Sequence, residues 1–138
     1  MRSVLRSFPL LLAVAIAGCG QAASSTSNFK GAKKDVADTV EQLQTAATSR
    51  KPEDICANVM TRALIEKVKT SGHDCVTEIE KVTADADDYE LTVTAVTITG
   101  ATATARVKGR KGGKEGVLTN FALAREDGKW RLSNFGAG

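Results

Sequence analysis

This chain of 138 residues has little of what enzymatic catalysis usually needs. It holds one histidine, His73, and it lacks the Gly-x-Ser-x-Gly, His-Glu-x-x-His and glycine-rich phosphate-loop patterns. These absences exclude the common signatures of serine hydrolases, zinc proteases and nucleotide-binding enzymes. His73 follows Ser71-Gly72 and is expected in an exposed loop. We therefore predict no catalytic residues, no metal site and no cofactor.

The chain also lacks an apolar run long enough to cross a membrane. Residues 9–17 are apolar and follow Arg2 and Arg6, whereas a spanning helix needs about 20 apolar residues. The run ends in Ile16-Ala17-Gly18-Cys19, which resembles the lipobox of bacterial lipoproteins. The resemblance implies a signal peptide over residues 1–18, acylation of Cys19, and a secreted protein anchored to the outer face of the bacterial cell membrane. An ordinary signal peptide with an incidental cysteine is the alternative.

Few cysteines remain once Cys19 is assigned to lipid. Cys56 and Cys75 are then an even pair in an oxidising compartment, which predicts a disulfide. Closing a loop of this size contributes on the order of 3 kcal/mol in the chain-entropy model. A zinc site would recruit His73, but these three ligands match no common zinc spacing.

A large excess of positive or negative charge is missing as well. Arg2 and Arg6 lie in the predicted signal peptide, which leaves 17 of the 19 basic residues against 16 acidic ones. A near-neutral chain gives no electrostatic reason to bind nucleic acid. Residues 19–29 are mostly small and polar and predict a lipidated, flexible tether. Residues 30–138 suffice for a single domain.

The first half of that domain has helical spacing. One apolar stripe recurs at intervals of three and four residues, and it comprises Val36, Val40, Leu43 and Ala47. Pro52 marks a second helix start, and Thr61 and Asp74 are candidate caps of two more helices. For the last helix the spacing places Val76, Ile79 and Val82 toward the core.

In the second half of the domain, apolar and polar residues alternate with a period of two. It predicts four strands, over about 89–98, 101–108, 115–125 and 129–135, with a β-bulge near Ala95 and a turn at Asp127-Gly128. Apolar parity places Val117, Phe121 and Leu123 on one face, and Trp130 and Phe135 are expected in the core. The fold class is therefore α+β, with N-terminal helices packed on a four-stranded antiparallel meander.

Three alanines share one strand face in this pattern. Ala101, Ala103 and Ala105 leave little side-chain volume there. Because protein interiors are close-packed, we expect the leading helix to approach this strand closely. A sizeable ligand chamber above the alanines is the alternative.

The order of elements resembles a known superfamily. A leading helix, a cysteine-bearing second helix and a meander ending in Asp-Gly-Lys-Trp-Arg-Leu over 127–132 are similar to nuclear transport factor 2-like proteins, and among them to small actinobacterial lipoproteins. The resemblance implies a cone-like curved sheet around the helices, sometimes with an internal pocket. Members include isomerases, dehydratases and non-enzymatic binding modules, so the fold does not fix the activity.

Two surface features remain as candidate sites. Tyr89 could line a pocket, although packing at the sheet edge is the alternative. A basic glycine-rich loop could touch anionic headgroups, although a solvated hairpin tip is the alternative, and its cations are Lys108, Arg110, Lys111 and Lys114.

The sequence thus favours a lipid-anchored extracytoplasmic module without catalytic activity, which binds or assembles with an unknown protein or a small apolar ligand. A small isomerase or hydrolase using Asp or Tyr in the cone pocket is one alternative. A structural envelope lipoprotein without ligand is the other.

Overall fold

The computed structural model describes residues 25–136 of the chain. The predicted signal peptide and Cys19 lie outside the described residues. The helices are α1 (Ala32–Thr48), α2 (Pro52–Asp54, continued by a π-helical turn over Ile55–Val59), α3 (Arg62–Thr70) and α4 (Cys75–Val82). The strands are β1 (Tyr89–Thr99), β2 (Thr102–Lys111), β3 (Lys114–Glu126) and β4 (Lys129–Phe135).

The helices begin where the sequence predicts. Thr61 accepts a hydrogen bond from the Leu64 amide at the start of α3, and Asp74 accepts one from the Thr77 amide at the start of α4. These side chains satisfy amide groups that a first helical turn leaves without partners. No helix within residues 25–136 is long and apolar enough to cross a bilayer.

The four strands form one antiparallel sheet in the order β1-β2-β3-β4. The register of β1 against β2 shifts between Val93 and Ala95, at the bulge predicted from the change of parity. The predicted fold class, helices packed on a four-stranded antiparallel meander, is confirmed.

The core lies between the helices and one face of the sheet. The predicted stripe on α1 is buried, as are Trp130 and Leu132. Ala103 and Ala105 belong to the same core as the stripe, and α1 packs on both β1 and β2, so the space over these two alanines is filled. Ala101 is exposed, because it lies in the turn before β2.

Several residues expected in the core are not buried. Val76 is 39% exposed and Val82 67% exposed, so α4 buries Ile79 but not its two neighbours in the predicted stripe. Phe135 is 37% exposed at the end of β4. The periodicity identified the face of α4 that points inward, but α4 packs on α2, the π-helical turn and α3, and these contacts leave Val76 and Val82 accessible to solvent.

The basic segment is a strand pair, not the loop that was predicted. Lys108, Arg110 and Lys111 lie in β2 and Lys114 opens β3, with a two-residue turn at Gly112-Gly113. Both glycines have positive φ, 56° and 75°, which is the geometry that favours a tight hairpin. The residues of β3 that belong to the core are Phe121 and Leu123, and Val117, nearer the turn, is 84% exposed although its parity predicted burial.

Residues 25–29 lie just before the domain start predicted at residue 30, and they contact the domain. Ser25–Asn28 form a short 3-10 turn that contacts α1 and β1. Thr26 is buried, and Phe29 packs against the core. The first part of the domain is therefore held to the beginning of α1.

The predicted disulfide joins Cys56 to Cys75, with 6.2 Å between their α-carbons. It connects the π-helical turn to the first residue of α4, and both cysteines are buried. The Sγ atom of Cys75 also lies 3.7 Å from the Sδ atom of Met60. The bond therefore fixes the start of α4 against the middle of the helical layer.

Candidate ligand-binding groove

An apolar groove opens between the helices and one end of the sheet. It has two adjoining lobes of about 220 and 380 Å³, which share Ile79, Val82 and Phe135. We call it the apolar groove. The first lobe is completed by Leu43, Gln44, Ala47, Thr83, Ala86, Tyr89 and Leu91, and the second by Val68, Glu78, Thr119, Phe121 and Gly136.

Helix α4 and the end of β4 form the shared part of the groove. Ile79 is buried, and Val82 stands one turn later with its side chain largely in solvent. Phe135 packs edge-on against Phe121, with ring centroids 6.2 Å apart. The valine and the phenylalanine that sequence reasoning assigned to the core are thus the walls of the groove.

Gln44 forms the wall on the α1 side. Its Nε2 donates to the Tyr89 carbonyl and its Oε1 accepts from the Leu91 amide, each at 2.7 Å. The side-chain amide thereby pairs with the outer edge of β1 as a neighbouring strand would. Both polar groups of Gln44 are satisfied, so the groove retains an apolar character at this wall. Nothing in the periodicity distinguished Gln44 from other helix-surface residues.

Tyr89 lines the first lobe, and Lys111 lies beside Tyr89 outside the lining. Tyr89 is 42% exposed, and the Lys111 Nζ atom lies 5.0 Å from the centroid of its ring. Their hydrogen bond, together with nearby charge, holds the pKa of Lys111 above its usual value. The carboxylate of Asp85 lies 3.6 Å from the same ammonium group. The mouth of an otherwise apolar lobe therefore carries a phenol and a fully charged amine.

The first lobe carries no acid–base pair. Its lining includes no Asp, Glu or His, and Tyr89 is the one ionisable side chain in it. Glu78 lines the second lobe, where Oε2 lies 3.9 Å from His73 Nδ1 and 3.7 Å from Lys81 Nζ. His73 is exposed between α3 and α4, as predicted. Tyr89 and Glu78 thus line different lobes, and no carboxylate lines the lobe that holds the phenol.

Three of the four hairpin cations pair with carboxylates. Lys108 contacts Glu115 at 2.6 Å and Arg110 contacts Glu90 at 3.7 Å, while Lys111 faces Asp85. The pKa of Glu115 is held below its usual value, first by the hydrogen bond from Lys108. Because these pairs are exposed, each contributes little stability, but together they cancel most of the positive charge of the hairpin.

Two wider depressions follow the outer side of α1. They have volumes of about 530 and 490 Å³ and share Asp38, Gln42 and Asn58. Their linings mix carboxylates with Lys51 and Lys129 and are open to solvent. Within residues 25–136, no group of three or more His, Cys, Asp or Glu side chains is arranged to hold a metal ion. The apolar groove is therefore the better candidate site.

Comparison with known proteins gives similarity of structure alone. No family model matches the chain, and no curated protein matches it. A solved structure from Campylobacter jejuni, described as a "Putative NTF2-like transpeptidase", has a TM-score of 0.49 at 18% identity and covers 71% of this chain and 97% of its own. An NTF2-like protein of unknown function from Shewanella baltica has a TM-score of 0.46 at 11% identity and covers 71% and 85%.

Both descriptions use the NTF2-like name, an abbreviation of the nuclear transport factor 2-like superfamily that the sequence resembles. Neither similarity is close enough to transfer a ligand, a partner or an activity to this chain.

Proposed function

We propose that this protein is a binding module without catalytic activity of its own, and that it holds a small apolar ligand in the apolar groove. The observation that carries the proposal is the exposure of Val82 beside Phe135 and Tyr89, around a concave surface lined mainly by apolar atoms. Exposed apolar side chains that cluster around a cleft mark binding sites more often than scattered ones do.

The two alternatives have less support. An isomerase or hydrolase in such a cone would need a desolvated carboxylate within reach of Tyr89, and the lobe that Tyr89 lines has none. A purely structural envelope protein would have no reason to keep Val82 exposed over an open lobe. The groove therefore favours ligand binding.

The same proposal places the module at the outer face of the cell membrane, held by acylated Cys19. Its support is the lipobox resemblance of residues 16–19 and the disulfide, which suits an oxidising compartment. Lys108, Arg110, Lys111 and Lys114 would add a weak contact with anionic headgroups. Their carboxylate partners limit that contact, since Lys114 is the one hairpin cation without a recorded ion pair in the described part of the chain.

An uncharged fluorescent probe, N-phenylnaphthylamine, tests the groove. We expect the probe to bind the wild-type protein with increased emission, and Val82→Asp to weaken that binding about tenfold or more, because the carboxylate would have to be desolvated in an apolar lobe. Val117→Asp is the matched control, since this valine is also exposed but lies on the hairpin. Equal binding by both variants and the wild type would rule out the groove as the site.

A further inference from the structure

We propose that the ligand is a single-chain amphiphile with an anionic headgroup, its chain lying in the apolar groove and its headgroup bound by Lys111 and Tyr89 at the rim. This inference rests on the proposed function. It specifies the class of ligand, the charge of its headgroup and its orientation in a groove that could otherwise hold any small apolar molecule.

The two lobes suit an elongated chain. They share Ile79, Val82 and Phe135, so the two lobes adjoin, one on the side of Tyr89 and the other on the side of Phe121 and Gly136. The first lobe is smaller than the range of about 300–1,000 Å³ that is usual for ligand pockets, and the second lies at the lower end of that range. A flexible chain that occupies both lobes would therefore bury more apolar surface than a compact ligand confined to one of them.

The polar groups around the first lobe indicate where the headgroup of a ligand would lie. Gln44 is committed to the edge of β1, and the Thr83 hydroxyl donates to the Ile79 carbonyl at 2.7 Å. Tyr89 and Lys111 are then the polar groups at the mouth that face solvent. An alkyl chain in the groove would therefore place its headgroup beside a phenol and an ammonium ion.

These two groups select an anion. The ammonium of Lys111 has three N–H donors and no acceptor, and the Tyr89 hydroxyl can donate as well. A carboxylate or a phosphate monoester can accept from both, and charge-assisted hydrogen bonds are stronger than neutral ones. A neutral headgroup such as an alcohol would gain less from this rim.

The carboxylate of Asp85 would repel an anionic headgroup. Replacing Asp85 therefore provides a second variant, whose expected effect on binding is opposite to that of replacing Lys111. Its carboxylate lies 3.6 Å from Lys111 Nζ, and both side chains are more than half exposed. A bound headgroup would displace this partner or sit beside it at a repulsive distance. Replacing Asp85 with asparagine should therefore strengthen binding of anionic ligands, whereas replacing Lys111 should weaken it.

The experiment compares dodecanoate, dodecyl phosphate and dodecanol by isothermal titration calorimetry on purified protein, the two anions below their micellar concentrations and the alcohol below its solubility limit. Lys111→Gln should weaken binding of the two anions on the order of fivefold, as expected for an exposed charge pair of about 1 kcal/mol, and leave dodecanol unchanged. Asp85→Asn should shift both anions in the opposite direction. Lys114→Gln is the matched control, because this cation lies directly across the strand pair from Lys111.

The outcomes of this experiment distinguish the headgroup inference from the proposed function. Binding of either anion that depends on Lys111 supports the proposal, and the two anions distinguish a fatty-acid source from a phosphate-headed lipid. Equal affinity for all three probes, with no change in affinity for Lys111→Gln, would overturn the headgroup inference. The apolar groove would then remain the proposed binding site. Failure of all three probes, together with N-phenylnaphthylamine, would overturn the proposed function itself.

Discussion

Gly116 shows how a single residue shapes the hairpin. The register between β2 and β3 shifts between Lys108 and Arg110, so two residues of β3, Gly116 and Val117, face Gly109 alone. A Cβ atom at Gly116 would overlap the Gly109 carbonyl oxygen. The glycine is therefore required by the close approach of two backbones at the bulge.

Gly116→Ala should consequently destabilise the protein by about 2 kcal/mol, because the strands must separate to admit the methyl group. Gly109→Ala is the matched control. It lies across the same bulge but has open space around its own Cβ position, so its cost should stay within about 0.5 kcal/mol. Urea unfolding followed by circular dichroism measures both. Equal costs for the two variants would contradict this account of the bulge.

Burial was predicted wrongly for residues whose exposure depends on the neighbouring elements and not on the apolar pattern of the sequence. Val82 and Val117 each lie in the predicted apolar pattern, yet Val82 lines the groove and Val117 lies outside the core. Periodicity states which face of an element is apolar. It does not state whether another element covers that face, and here the uncovered positions include the groove.

At the scale of elements, side-chain caps were the most dependable signals. Thr61 and Asp74 begin α3 and α4 as predicted, since the bond from a cap to an amide two or three residues later depends on local sequence alone. The connection between β2 and β3 is shorter than the loop predicted over 109–114, because glycines and cations are typical of loops, whereas the positive φ values of Gly112 and Gly113 close a two-residue turn between two strands.

The cap at Asp74 leads to a pH prediction. The hydrogen bond from the Thr77 side chain, followed by that from the Thr77 amide, holds the pKa of Asp74 below its usual value. A depressed carboxyl pKa stabilises the folded state above the unfolded pKa, and that stabilisation is lost as pH falls through the folded pKa. The wild type should therefore lose an increment of stability under acid conditions.

Asp74→Asn is the informative variant, because asparagine caps a helix nearly as well but does not titrate. We expect the difference in unfolding free energy between wild type and variant to be largest near neutral pH and to shrink as the solution is acidified below the usual carboxyl range. Thermal unfolding across a pH series measures it. A difference that stays constant with pH would show that the Asp74 charge has no part in the cap.

For the whole molecule, the topology separates the beginning of the domain from the hairpin tip. The Thr39 hydroxyl on α1 donates to the Trp130 carbonyl at 3.2 Å, and Trp130 pairs with Arg125, whose amide donates to the Ala101 carbonyl. The first half of α1 thus lies at the end of the sheet near Ala101. The tip lies at the other end, where the Gly112 amide donates to the Asp88 carbonyl at 2.9 Å.

This separation restricts how an anchored domain can meet a membrane. Strand β1 has 11 residues, so the ten steps between its first and last residue span about 33 Å at 3.3 Å per step, and it joins the two ends. The six peptide units from Cys19 to Ser25 reach about 20 Å at most. If Cys19 is acylated, the Ala101 end stays near the membrane, and the hairpin reaches it when the sheet lies along the surface.

We predict that charge controls this second contact and that the lipid controls the first. Thr99→Cys and Val117→Cys place a thiol-reactive dye at the two ends of the sheet without removing a hairpin cation, and Cys56 and Cys75 are already bonded to each other. On anionic vesicles at low salt, a headgroup quencher should quench both dyes. At high salt or on neutral vesicles the Thr99 dye should stay quenched while the Val117 dye recovers, because surface charge is screened within about 10 Å at 0.1 M salt. Cys19→Ala should release both from neutral vesicles. Quenching at Val117 that persists on neutral vesicles would contradict an electrostatic contact, and loss of quenching at Thr99 in high salt would contradict the anchor.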